Sequence, residues 1–322
     1  IQLKHMIWSY ILLLTGFLVL LKGADWLVHG ASALAKKYRL SDLAIGLTIV
    51  AFGTSAPELV VNVFASAEGH DDIVLANIIG SNNFNLFIIL GIAGLISPLL
   101  VQSSTVRTEI PLSLAAGLLL FLLANNLLWE NEKMISAIDG SILLLLFVLF
   151  LAYVYKQLRS EPGDVVKIQS LQLPNFKIWT FILVGLSGLI IGGHLVVTKA
   201  IEIATDMGLS EKIIGLTIVA AGTSLPELAT SVVAALKKNN DIAVGNIIGS
   251  NIFNIFFILG ISALVSPISF NPSFNTDIYI LAAGTILLLL AMFTGKRKIL
   301  DRWEALLLLV AYLGYTFYII QA

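Results

Sequence analysis

The chain has 322 residues, of which 58% are hydrophobic and 12% are Asp, Glu, Lys or Arg, with a formal net charge of −1. Soluble domains carry about 25% charged residues, so this composition excludes one, and the absence of a basic stripe excludes a nucleic-acid partner. No cysteine occurs, which excludes disulfides, thiol catalysis and cysteine-ligated metals.

Apolar runs separated by short polar joints predict ten membrane-spanning helices, at roughly 6–30, 42–67, 72–98, 108–127, 134–156, 176–200, 211–236, 241–267, 276–293 and 303–321. The first, with Lys4 ahead of an apolar run, has the pattern of a signal peptide. However, its Gly23–Val28 stretch has a counterpart in Gly192–Val197, 169 residues on, so it belongs to the folded chain. Segments 2 and 3 introduce polar motifs that segments 7 and 8 repeat. Residues 46–98 align with 215–267 without a gap, 32 of 53 positions being identical. Gly46–Leu59 answers Gly215–Leu228, and Asn77–Phe87 answers Asn246–Phe256.

Each half therefore holds five segments: residues 1–156 form the first repeat, 157–175 a cytoplasmic linker, and 176–322 the second repeat. An odd number of crossings starts the second half on the opposite side of the membrane, so the repeats are inverted. Joints 1–2, 3–4, 5–6, 7–8 and 9–10 hold 14 of the 19 basic residues, which makes that side cytoplasmic and sets both termini outside. The expected fold is an all-α polytopic membrane protein of ten helices in two inverted repeats, with broken helices at a polar centre. No joint is long enough for a soluble domain, and no obligatory protein partner is evident beyond the lipid bilayer.

Gly53-Thr54-Ser55-Ala56-Pro57-Glu58 lies deep in segment 2, and Gly222-Thr223-Ser224-Leu225-Pro226-Glu227 deep in segment 7. A proline there lacks an N–H and clashes with the carbonyl four residues back, so a kinked or discontinuous helix is predicted, with freed carbonyls lining a cavity. A carboxylate in hydrocarbon costs several kcal/mol unless it is paired, protonated or bound to a cation. Segments 2, 3, 7 and 8 carry no Lys or Arg at the matching depth, which leaves a proton or a metal ion. Inversion brings Glu58 and Glu227 to one level, where one divalent cation neutralises both. In Gly80–Asn85 and Gly249–Asn254, Ser81 with Asn85 and Ser250 with Asn254 share a helix face. Gly80 and Gly249 allow close helix approach, Asn82 and Asn251 read equally as interhelical hydrogen-bond glue, and Asn77 and Asn246 as support or pore lining.

The resulting donors are hard oxygens, which suit calcium with its 6–8 flexible ligands better than magnesium or softer metals. The histidines (His5, His29, His70 and His194) lie outside the motifs; His29 and His70 read as peripheral, and His194, aligned with Asp25, as a candidate for an access path. A channel would need a continuous polar pore, and a metalloprotease an HExxH motif, which the sequence lacks, so no enzymatic role is expected.

The doubled G-T-S-x-P-E and G-S-N-x-x-N motifs resemble those of the cation/calcium exchanger superfamily, and within it the prokaryotic sodium/calcium exchangers. The resemblance implies a calcium/sodium antiporter of the cell inner membrane, working by alternating access, with Ca2+ and Na+ as transported ions and no prosthetic cofactor. Carried over by motif position, the ion ligands are Thr54, Ser55, Glu58, Ser81 and Asn85 with Thr223, Ser224, Glu227, Ser250 and Asn254, and the carbonyls of Ala51 and Ala220 match sodium-binding positions. Asn254 falls where potassium-dependent relatives carry aspartate. The centre thus has two carboxylates, which argues against potassium co-transport and leaves the proton as the alternative counter-ion. In this family segments 1 and 6 slide as a pair, and their glycines would give a low-friction moving surface.

Overall fold

The computed structural model describes residues 2–38, 40–127, 133–160, 173–206, 220–295 and 297–321. The start of the expected seventh segment and residues 161–172 of the expected linker lie outside this set.

In the first half, α1 (Gln2–Tyr38) runs well past its expected end because no breaker interrupts residues 31–38, and Lys36 and Lys37 complement its C-terminal dipole. The second expected segment is broken into α2 (Asp42–Thr54) and α3 (Ala56–Ala67), bent by 49°. Ser41 caps α2, its hydroxyl accepting from the Ala44 N–H at 3.4 Å. Next come α4 (Asp71–Ile96), α5 (Thr105–Ala124) and α6 (Ala137–Ser160). In the second half, α7 (Asn175–Asp206) is followed by α8 (Ala220–Gly222), α9 (Leu225–Leu236), α10 (Asn240–Val265), α11 (Pro272–Ala291) and α12 (Arg302–Gln321). Among the described residues, seven helices are long and apolar enough to cross a bilayer, and the bent α2–α3 pair makes an eighth as one broken span. The chain is a mostly helical membrane protein.

It is not purely helical. β1 (Leu99–Leu100) pairs antiparallel with β4 (Ile299–Leu300), and β2 (Met134–Ile135) with β3 (Ile268–Ser269). Strands of two residues are too short to leave a period-two signature in the sequence. Each ribbon joins the two halves, and β1 and β2 flank α5, a 20-residue helix about 30 Å long.

Two apolar cores result. The larger one draws on α4, α5, α6, α10 and α11, and holds buried side chains such as Leu86, Phe147, Phe253 and Leu281. The second is built on α1 and α7 around Leu27, Ile182 and Leu189. Between α1 and α7, glycines meet backbone to backbone. A Cβ at Gly23 would lie 2.7 Å from the Leu189 nitrogen, and one at Gly192 would lie 2.5 Å from the Leu20 nitrogen. Gly16 faces Gly192 and Val196, while its counterpart Gly185 faces Gly23 and Leu27, so the pair obeys its own two-fold relation. The glycines thus lock α1 to α7 rather than greasing the pair's outer surface, because lateral approach this close is possible only where both helices lack side chains. This two-helix body sits asymmetrically on the rest: α1 packs along α9, whereas α7 forms no matching interface with α3 among the described residues.

Candidate functional site

The two polar motifs fold alike. Pro57 and Pro226 stand in the first turn of α3 and α9, where a missing N–H costs nothing. The residue at each break has nearly the same backbone, φ −83°, ψ 7° at Ser55 and φ −88°, ψ 7° at Ser224. Glu58 and Glu227 therefore occupy first turns, where the helix dipole favours negative charge. The opposing helices carry matched π-helical turns, Phe84–Ile89 in α4 and Phe253–Ile258 in α10, separated from the Gly-Ser-Asn triplets by one residue, Asn83 and Ile252 respectively. Widened turns of this kind are often found at functional sites.

The halves complete one another crosswise. Ser55 Oγ donates to Glu227 Oε1 at 2.8 Å, and Ser250 Oγ lies 3.0 Å from Ser55 Oγ and 3.4 Å from the same carboxylate oxygen. In the mirror relation, Ser224 Oγ donates to Glu58 Oε1 at 3.3 Å. Thr54 donates to Asn246 Oδ1 at 3.1 Å, and Thr223 to Asn77 Oδ1 at 3.2 Å. Ser81 is the exception to the symmetry, its hydroxyl lying 3.5 Å from Asn77 Oδ1. The Ala51 carbonyl accepts the Ser55 N–H at 3.0 Å, with the Thr54 hydroxyl at 3.3 Å, while Ala220 opens the short α8 turn.

Asn82 and Asn251, one per half, form a reciprocal clamp. Each side-chain amide donates to the other's backbone carbonyl, at 3.2 and 3.3 Å. Their Oδ1 atoms accept from Asn254 Nδ2 at 2.9 Å and Asn85 Nδ2 at 3.1 Å. With those nitrogens committed, the Oδ1 ends of Asn85 and Asn254 are left without a donor, as are Glu58 Oε2 and Glu227 Oε2. All four residues are at most 2% exposed, so water does not solvate these oxygens from outside. Unpartnered buried carboxylate and amide oxygens cost several kcal/mol unless a hydrogen-bond donor, a proton on the carboxylate or a cation meets them. Away from this centre, Asp25 pairs with Lys22 and Lys237, Glu202 pairs with Lys199, and His70 lies 3.6 Å from Glu68.

The sequence left the roles of four asparagines open, and the geometry separates them. Asn82 and Asn251 clamp, whereas Asn77 and Asn246 hold the threonines, with Asn246 also donating to Ser231 Oγ at 3.0 Å. Asn62 lies outside both sequence motifs. Its Nδ2 donates to the Glu58 carbonyl at 2.7 Å, and a polar residue four positions after each glutamate, Asn62 and Ser231, was the available signal. Gly249 permits the expected close approach, a Cβ there lying 2.9 Å from Leu47 Cα, whereas Gly80 has no described atom within 4 Å. His29 packs edge-on against Phe181, and His70 and His194 are exposed, so all three stay outside the centre.

The profile of a family described as sodium/calcium exchanger protein matches residues 8–156 and 177–321. The inner membrane protein YrbG of Escherichia coli is 38% identical over 270 residues, covering 81% of each chain. The sodium/calcium exchanger MaX1 of Methanosarcina acetivorans is 32% identical over 345 residues, covering 95% of this chain and 97% of that one. Among solved structures, the sodium-calcium exchanger NCX_Mj, soaked with 2.5 mM Na+ and 10 mM Sr2+, superposes with a TM-score of 0.81 at 31% identity, covering 96% of this chain and 97% of the other.

Proposed function

This chain belongs to the sodium/calcium exchanger protein family, and from that premise we propose that it is an antiporter that exchanges Ca2+ for Na+ at the paired-glutamate centre. The observation that carries this reading is the set of four unpartnered buried oxygens, on Glu58, Glu227, Asn85 and Asn254. Two carboxylates match the charge of one calcium ion, and the hydroxyls of Thr54, Ser55, Ser81, Thr223, Ser224 and Ser250, with the Ala51 and Ala220 carbonyls, add neutral oxygens. Calcium's tolerance of irregular coordination suits such a mixed set. Sodium competes for overlapping donors and balances the same charge in larger number.

Transport follows from electrostatics. The empty centre, with two anionic groups, resists passage through a low-dielectric barrier, and the cation-filled centre passes more easily. The ten-helix inverted arrangement is part of this reading, supported by the two interhalf ribbons and by α2–α3 and α9 meeting at one centre. The one-sided seat of the α1–α7 body supports alternating access, since a symmetric body on a symmetric bundle has a second, equivalent seat.

The test is 45Ca2+ uptake into proteoliposomes of the full chain. An outward sodium gradient drives uptake, and Glu58→Gln or Glu227→Gln reduces it at least about tenfold. Uptake driven equally by a pH gradient without sodium would assign the proton instead, and uptake without any counter-gradient or membrane potential would point to a channel.

A further inference from the structure

The ion pair of Asp25 with Lys237 takes no part in the centre described above. Asp25 lies on α1, and its carboxylate is 2.7 Å from Lys237 Nζ, which also donates to the Asp25 carbonyl at 3.0 Å. Lys22 adds a contact of 3.1 Å to the same carboxylate. Lys237 caps the C-terminus of α9, so the pair fastens the α1–α7 body to the bundle at the seam where α1 packs along α9.

Both partners have counterparts 169 positions away: His194 on α7 for Asp25, and Glu68 at the end of α3 for Lys237. The backbones around Glu68 and Lys237 agree bond for bond. Glu68 N–H donates to the Phe64 carbonyl and Lys237 N–H to that of Val233, both at 3.0 Å. The next pair of bonds, Gly69 to Ser66 and Lys238 to Ala235, measures 3.2 and 2.9 Å, and the left-handed φ values are 76° and 57°. His70 to Ala65 and Asn239 to Ala234 complete the match, at 2.8 and 2.9 Å. The α1–α7 body carries the same two-fold relation, shown by Gly16 and Gly185. The seat is therefore built twice with the partner types exchanged: a carboxylate on the body and a lysine on the bundle at one, an imidazole on the body and a carboxylate on the bundle at the other.

Only the first seat is filled here. Val60 and Phe64 of α3 are 54% and 65% exposed, while Ala229, the counterpart of Val60 on α9, is 5% exposed. His194 is exposed, and Glu68 lies 3.6 Å from His70 instead. We propose that Asp25–Lys237 and His194–Glu68 are alternating latches, the first closed in the access state of this structure and the second in the opposite state. The proposal rests on the alternating-access reading. When α7 seats on α3 as α1 seats on α9, His194 meets Glu68, so each turnover opens one latch and closes the other. A pair whose side chains are 36% and 37% exposed is a weak latch, worth a shift of about fivefold or less in the ratio of the two states.

The absence of native cysteine allows a direct test in full-length protein in proteoliposomes. Two double variants, Asp25→Cys with Lys237→Cys and Glu68→Cys with His194→Cys, are oxidised with copper phenanthroline during turnover, and the cross-linked peptides are identified by mass spectrometry. Both pairs are expected to cross-link, each stopping calcium exchange until dithiothreitol restores it. In the Glu68→Cys, His194→Cys background, Asp25→Asn is expected to speed cross-linking severalfold. If that background transports when reduced yet fails to cross-link through many turnovers, or if Asp25→Asn leaves its rate unchanged, the latch proposal is wrong. If both pairs cross-link and exchange continues undiminished, it is the alternating-access reading that fails, and the latches with it.

Discussion

An asparagine can ligate a cation only when its oxygen faces the ion, and nothing in the residue itself decides which end of the amide does so. At Asn85 and Asn254 the decision is made by neighbours, since Asn251 Oδ1 and Asn82 Oδ1 accept their nitrogens at 3.1 and 2.9 Å. Asn251→Ala should let the Asn85 amide rotate and raise the half-saturating calcium concentration about tenfold, the equivalent of ~1.4 kcal/mol. Asn83→Ala is the matched control. Asn83 follows Asn82 directly, but its amide donates to the Asp277 carbonyl at 3.1 Å on the scaffold side, so affinity should stay within about twofold. Calcium dependence of uptake reads both. An Asn251→Ala protein with unaltered half-saturation would reduce the clamp to helix packing. The two motifs were legible from the sequence as a polar centre, because a pair of carboxylates in hydrocarbon demands a proton or a cation. The clamp was not, because hydrogen-bond partners 169 residues apart leave no trace in local spacing.

Helices lock or slide according to what their facing surfaces carry, and the α1–α7 contact can be tested glycine by glycine. A Cβ at Gly23 would sit 2.7 Å from the Leu189 nitrogen and 2.8 Å from the Gly185 oxygen, both backbone atoms that cannot turn aside. Gly23→Ala should therefore push the helices apart at a cost of about 1–3 kcal/mol, lowering the apparent Tm in detergent by at least about 2 °C. Gly193→Ala meets nothing nearer than the Leu20 Cδ1 at 3.8 Å, and alanine's higher helix propensity should leave Tm unchanged or raised. Equal losses from both variants would contradict the locked pair. The sequence displays Gly16, Gly23 and Gly30 seven residues apart, which marks a stripe but not its partner. It was also silent on the π-helical turns at Phe84–Ile89 and Phe253–Ile258, since a widened turn has no residue signature comparable to the proline that announces the break at Ser55.

At the scale of the whole molecule, the ribbons constrain how often the chain crosses the membrane. β2 and β3 pair directly, so both ends of the chain between them lie on one side, and the number of crossings between them must be even. The helices α6, α7 and α10 supply three. The proposed ten-helix arrangement supplies a fourth in its seventh segment, of which α8 and α9 are the described part. By the same parity, β1 and β4 share a side, and α5 separates that side from the one holding β2. The ten crossings proposed above satisfy both conditions and agree with the basic residues gathering on the β1–β4 side. The arrangement predicts opposite accessibility for two exposed positions flanking the ribbons, Asn271 after β3 and Lys298 before β4. In intact cells whose only cysteine in this chain is introduced, Asn271→Cys should react with an impermeant maleimide added outside. Lys298→Cys should react only after the membrane is permeabilised. Labelling of both from the same side would break the parity, and with it the proposed inverted repeat, on which the meeting of Glu58 and Glu227 at a common level depends.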